Sequence, residues 1–228
     1  MTDAPRPLAP PPPAPSAAPF GDVKADVKLA FATPIVTAEL AVVAARNAEL
    51  AETILARSRS HPSTQASNHG GWQSDWQMEQ WGGPGLQLLL AAAKSLATNM
   101  TRSRQGKPVT VDWRANAWAN VNRAGDANEF HIHPAALWSG VYYVDDAGAA
   151  DNPAHGGELE LLGPRGAAPA MYAPLLAFAG PGGLAVGATE AIRPKAGRVV
   201  LFPAWLYHQV RPYRGPGQRI SIAFNLSL

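Results

Sequence analysis

A chain of 228 residues, 46% apolar and 16% charged, can build one substantial hydrophobic core, and its formal charge of +2 is too small to argue for a nucleic-acid partner. It has no cysteine, which excludes disulfides, thiolate metal sites, iron–sulfur clusters and cysteine nucleophiles, so any metal must rest on His, Asp or Glu. No apolar run approaches the roughly 18 residues of a membrane span, and Met1 to Pro15 lacks the basic and apolar blocks of a signal peptide; the expectation is a cytoplasmic protein without a membrane partner.

Residues 1–20 are rich in proline and alanine, a composition that favours extended polyproline II and buries no core, so a disordered tail is expected ahead of one domain over 21–228. Leu40, Val43, Leu50, Ile54 and Leu55 recur at helical spacing behind Thr37 as N-cap, predicting a helix over about 38–58. A Gly/Ser/Asn/Trp-rich loop, Ser67 to Gly83, leads to a second helix over about 86–101, opened by Pro84 and Gly85 and carrying Leu88, Leu89, Ala92, Leu96 and Met100. From about 109 to 228 the texture changes to short β-rich runs divided by Gly, Pro, Asn and Asp, the pattern of a sandwich or barrel. The candidate strands are 109–122, 129–133, 137–145, 157–162, 188–193, 197–203 and 217–226. Residues 163–187, rich in Gly, Ala and Pro, read as a long loop of the kind that often serves as a lid.

Within Glu129-Phe130-His131-Ile132-His133 a strand would place Phe130 and Ile132 on one face and Glu129, His131 and His133 on the other, aiming two imidazoles at one point. A pair of solvated or hydrogen-bonded histidines is the plainer reading of the same residues. His208 follows the apolar run Gly197 to Pro203, where an imidazole must be ligated or paired to avoid a desolvation cost of about 1–3 kcal/mol. In the last strand Ile220, Ile222, Phe224 and Leu226 alternate with Arg219, Ser221, Ala223 and Asn225, which suggests a barrel strand whose second face lines a polar cavity. A cavity holding an arginine suits an anion, since the guanidinium offers a fixed fork of donors and Ser221 adds a hydroxyl on the same face.

His131 and His133, the stretch Leu137 to Val144, Gly156-Gly157-Glu158-Leu159, the Gly197 to Pro203 strand, His208, Arg219 and Ser221 together resemble the iron(II)/2-oxoglutarate-dependent dioxygenase superfamily. More narrowly, with Gly71-Trp72-Gln73-Ser74 and Trp118 to Asn122 added, the chain resembles a bacterial and phage group of 2-oxoglutarate oxygenases related to the prolyl-hydroxylase branch, over residues 31–228. The resemblance implies a mainly β double-stranded β-helix, a jelly roll or cupin-like barrel backed by the N-terminal helices, with Fe(II) at its open mouth. It implies His131 and His208 as metal ligands, and Arg219 and Ser221 as the pair that binds the distal carboxylate of 2-oxoglutarate. Tyr143, Asn120 and Asn225 are further candidates for holding the co-substrate, with Tyr142 and Tyr143 opposed by parity so that only one faces inward.

The departure from the family is His133, where the usual pattern has a carboxylate. Three neutral imidazoles leave the metal its full +2 charge, which dianionic 2-oxoglutarate would neutralise. His133 is expected as the third ligand; otherwise it stands beside the metal, with a water or Glu129 in its place. The tryptophans are expected mostly as packing, although those in the 67–83 loop could wall a pocket, and His61, His69 and His155 are expected as solvated loop residues.

The leading reading is an oxidoreductase that consumes molecular oxygen and 2-oxoglutarate, hydroxylates a small-molecule or peptide substrate, and releases succinate and carbon dioxide. Two alternatives stand beside it: a three-histidine cupin-like dioxygenase that needs no keto acid, and a non-catalytic metal- or ligand-binding jelly roll. Substrate identity and oligomeric state, a homodimer included, stay open.

Overall fold

The structure is a computed structural model and describes residues 31–166, 175–179, 185–186 and 189–228. The expected tail at 1–20 lies outside the described residues, as does most of the expected lid at 163–187. In chain order the elements are β1 (Val36–Glu39), α1 (Ala41–Ala44), α2 (Asn47–Ser60), β2 (Asn68–His69), β3 (Trp72–Gln73), a 3-10 turn at Met78–Gln80, and α3 (Gly83–Met100). There follow β4 (Arg114–Asn122), β5 (Ala127–His131), β6 (Trp138–Asp145), a 3-10 turn at Pro153–His155, β7 (Leu159–Leu162), β8 (Phe178–Ala179), β9 (Ala185–Val186), β10 (Thr189–Ile192), β11 (Arg198–Pro203), β12 (His208–Val210) and β13 (Arg219–Ser227).

Two antiparallel sheets face each other. One runs β1-β11-β6-β13-β4-β3 and the other β10-β7-β12-β5-β2, while β8 and β9 pair separately. This is the double-stranded β-helix. Successive side chains of its long strands point to opposite faces, one toward the helices and the other toward the second sheet. In β13 the side chains of Ile220, Ile222, Phe224 and Leu226 are buried against α2 and α3, together with Leu50, Ile54, Leu86 and Leu89. The other face of the same strand turns Arg219 and Ser221, both buried, toward the second sheet. The helices therefore seal one side of the six-stranded sheet and leave its inner face free to line a cavity.

Several sequence expectations need correction. The helix expected over 38–58 is broken: Val36–Glu39 is an edge strand paired with β11, so Thr37 sits opposite Val200 and caps nothing. Pairing with a buried central strand outweighs the local helical periodicity of this short segment. In α3 the buried stripe is Leu86, Leu89, Leu90, Ala93 and Ala97, whereas Leu88 and Met100 are exposed. The stripe expected from the sequence is rotated because the face that packs into the core carries Leu86, Leu90, Ala93 and Ala97 beside Leu89. The stretch 109–113 is not strand, and the Ser67–Gly83 loop contains β2, β3 and the fully buried Met78.

Candidate metal centre and its cavity

His131 closes β5 and His208 opens β12, and the two are directly paired in register, so the sheet itself sets their imidazoles side by side. Their ring centroids are 4.3 Å apart. His133 arrives differently from the sequence expectation. The chain leaves the strand after His131, and the His133 N–H donates to the Ala204 carbonyl (3.0 Å) in the turn between β11 and β12. Pro134, which has no N–H, follows at once and cannot continue a ladder. Strict alternation therefore stops at His131, and Ile132, expected on the opposite face, lines the same cavity as both histidines.

One ligand nitrogen from each of His131, His133 and His208 lies within 4.8 Å of the others. The Nδ1–H of His131 donates to the Glu129 carbonyl (2.6 Å) and that of His208 to the Leu206 carbonyl (2.8 Å), an assignment that follows from the acceptors present. Both rings are thereby fixed in the tautomer that turns a bare Nε2 lone pair inward. His133 Nε2 stands 3.2 Å from His208 Nε2. Two metal–imidazole bonds of about 2.1 Å meeting at a right angle would separate their nitrogens by about 3.0 Å, so the donor set fits adjacent positions on one divalent ion.

Burial pushes all three histidines below the ordinary imidazole value, His133 to about 4 and His208 to about 3, the latter two helped by repulsion from the neighbouring imidazoles. They are neutral near pH 7 and their lone pairs are available to a cation. Trp118 and Phe202 wall the cluster, with ring centroids 5.5 Å from His133 and 4.7 Å from His208.

Across the cavity, which encloses about 300 Å³, the six-stranded sheet presents Arg219, 1% exposed. Its Nη1 donates to Ser221 Oγ (3.2 Å), its guanidinium lies 5.8 Å from the Tyr143 ring centroid, and its buried Nε has no partner among the described residues. Gly157, at φ +77°, leaves the space this side chain needs: a Cβ there would sit 3.3 Å from Nε. No carboxylate among the described residues pairs with Arg219. A buried guanidinium without a counter-ion and with an orphaned donor is costly, and an anion in the cavity relieves both faults. Tyr143 faces inward and burial pushes its hydroxyl up to about 12, so it remains a proton donor. Tyr142 points the other way, donating to Asn47 Oδ1 (2.8 Å) and tying α2 to the sheet.

Of the remaining candidates, Asn120 lines the cavity. Asn225 is not among the residues that line it; its Oδ1 accepts from Ser139 Oγ (2.7 Å). His69 lies outside the cluster, its Nε2 2.6 Å from Glu129 Oε1, and His61 pairs with Ser60. Among the lining residues missed from the sequence are Gln73, Trp118 and Asn128. Gln73 and Asn128 come from short strands around tight turns, which give no periodic signal to read.

Residues 116–225 match the sequence profile of a family described as "Putative 2OG-Fe(II) oxygenase", a span that contains all three clustered histidines, Arg219 and Ser221. No curated protein matches the chain. Among solved structures, a Pseudomonas putida prolyl-4-hydroxylase is similar at 15% identity and TM-score 0.57, covering 85% of this chain and 91% of that one. A Trichoplax adhaerens prolyl hydroxylase in complex with a hypoxia inducible factor oxygen degradation domain peptide fragment is similar at 15% identity and TM-score 0.58, covering 85% and 83%. HygX from Streptomyces hygroscopicus, with nickel and 2-oxoglutarate bound, is similar at 11% identity and TM-score 0.54, covering 86% and 83%. At such identities these likenesses establish the fold.

Proposed function

We propose, from the match of residues 116–225 to the 2OG-Fe(II) oxygenase family, an oxidoreductase family that uses iron(II) and 2-oxoglutarate, that this chain is a 2-oxoglutarate-dependent dioxygenase that hydroxylates a substrate still to be identified. The observation that carries the reading is a buried, acid-free Arg219–Ser221 pair facing three converging neutral imidazoles inside one cavity. His131, His133 and His208 hold the metal, the first and last with their Nδ1–H groups anchored on backbone carbonyls. Arg219 and Ser221 receive the distal carboxylate of 2-oxoglutarate, and the Tyr143 hydroxyl and Asn120 carboxamide are placed to donate to the same molecule. With iron and 2-oxoglutarate bound, the pair supplies the oxidising chemistry, the two atoms of one oxygen molecule going to succinate and to the hydroxylated product.

Geometry supports His133 as the third ligand: its Nε2 stands 3.2 Å from that of His208, the separation of adjacent positions on one ion. The protein contributes orientation and shelter: Trp118 and Phe202 keep bulk water from the imidazole cluster, and the β13 backbone fixes the spacing of Arg219 and Ser221. The unpaired guanidinium favours this reading over an oxygenase without a keto acid, which would leave Arg219 with nothing to bind.

The test is product analysis in air. Iron(II) and 2-oxoglutarate together should give succinate even without substrate, by slow uncoupled turnover, and omitting either should abolish it. Oxygen uptake that proceeds without 2-oxoglutarate would overturn the proposal.

A further inference from the structure

We propose that Gln73 is the substrate-anchoring residue of this site and that the group it recognises is an uncharged amide. The proposal rests on the oxygenase reading above and extends it to substrate class. Gln73 is 2% exposed and lines the cavity, yet its carboxamide makes no side-chain hydrogen bond to the described residues. Its backbone is fully committed: the N–H donates to Ser63 Oγ (3.0 Å) and the carbonyl accepts from the Thr64 N–H (2.9 Å). On the other side it is registered against Asn120 of β4. Ser74 locks that register, its N–H donating to the Ala119 carbonyl and its Oγ accepting from the Ala119 N–H, both at 3.0 Å. The backbone is therefore held in place, and the carboxamide keeps its hydrogen-bonding capacity open to the cavity, where a ligand can use it.

Gln73 stands on the far side of Asn120 from the Arg219–Ser221 pair. Gln73, Asn120, Ser221 and Tyr143 form one row across the sheet, in that order by strand register. Two strand spacings, roughly 10 Å, divide Gln73 from Ser221. Near it stand the tryptophans Trp118 and Trp76, the latter 45% exposed, which offer flat apolar surface to an incoming molecule. The Trp76 segment is braced by Asp75, whose Oδ1 accepts from the Gln77 N–H (3.1 Å) and the Trp81 Nε1–H (3.4 Å).

Among the described lining residues Arg219 is the single full charge, and 2-oxoglutarate claims it. A zwitterion would find no acid for its ammonium and no second cation for its carboxylate. A carboxamide offers one acceptor and one donor edge, and a neutral amide answers both.

The experiment uses the full chain loaded with iron(II) and 2-oxoglutarate under argon, titrated by calorimetry with a panel of N-acetyl amino-acid methylamides and the matching free amino acids. At least one methylamide should bind tenfold or more tighter than its free amino acid, on the order expected for a hydrogen bond made or lost in a dry site. Gln73→Leu should lose that preference by about tenfold, and Gln73→Glu should lose it too, while 2-oxoglutarate affinity stays within about twofold of wild type in whichever variant folds. In air, the preferred methylamide should raise succinate production above the uncoupled rate. Equal binding of free amino acids, no binding of any methylamide, or a loss of 2-oxoglutarate affinity in both Gln73 variants would overturn the assignment. Failure of wild-type protein to convert 2-oxoglutarate at all would instead strike the oxygenase reading on which it rests.

Discussion

His133 is the residue at which the proposed donor set departs from a carboxylate-containing one, and its place in the cluster comes from geometry that strand parity alone does not give. It reaches the cluster because its N–H is captured by Ala204 after β5 has ended, which brings its Nε2 to 3.2 Å from that of His208. Changes beside metal ligands cost about 10–100-fold in affinity, so removal of a ligand should cost no less. His133→Ala is expected to weaken manganese(II) binding by at least about tenfold, and His133→Asp to retain it, as read by equilibrium dialysis. Wild-type affinity in His133→Ala would remove this imidazole from the ligand set. That His131, His208, Arg219 and Ser221 share one cavity was legible in the sequence because regular strands place them by alternation. Asn225 shares the parity of Arg219 and Ser221 but does not line the cavity, since parity reports the face of a strand and not how far along it the cavity extends.

At the scale of elements, the central strand β6 is wedged between β11 and β13, and its contact with the helical layer depends on a residue without a side chain. A Cβ on Gly140 would collide with the Phe224 ring and lie 2.8 Å from the Val200 carbonyl, with Phe224 fully buried and unable to yield toward solvent. Gly140→Ala is accordingly expected to destabilise the fold by about 1–3 kcal/mol through overpacking, measurable as a lower midpoint in urea. An unchanged midpoint would mean that the core beneath α2 and α3 has room that its packing does not suggest. The strands around the site were readable from alternation, but β1 was not: four residues carry too little pattern to compete with the helix signal beside them, and what makes them a strand is the partner β11, distant in sequence. β2 and β3, at two residues each, are held by pairing and side-chain hydrogen bonds that no local pattern announces.

Across the whole molecule, the site is made by apposition of the two sheets: β5 and β12 supply two imidazoles, the turn after β5 supplies the third, and β13, β4 and β6 supply the opposite wall. A metal held by β5, β12 and the turn after β5 should stabilise the folded state. At a metal concentration about 100 times Kd the gain is about 2.7 kcal/mol, or roughly 5–10 °C in Tm for a chain of this size. Scanning calorimetry should show that rise with manganese(II), its reversal by chelator and its absence in His208→Ala; an equal rise in the variant would place the ion elsewhere. The sandwich-like arrangement was legible from the spacing of β-rich runs, whereas the meeting of the imidazole cluster and Arg219 across the gap depends on tertiary closure. The most direct test of that meeting is anaerobic addition of iron(II) and 2-oxoglutarate with visible spectroscopy. Wild-type protein should develop the charge-transfer absorption of a keto acid chelated to iron(II), and Arg219→Ala should require about 10–100-fold more 2-oxoglutarate to reach it, the loss expected for charged hydrogen bonds. No such band in the folded wild-type protein, or the same 2-oxoglutarate dependence in Arg219→Ala, would contradict the account.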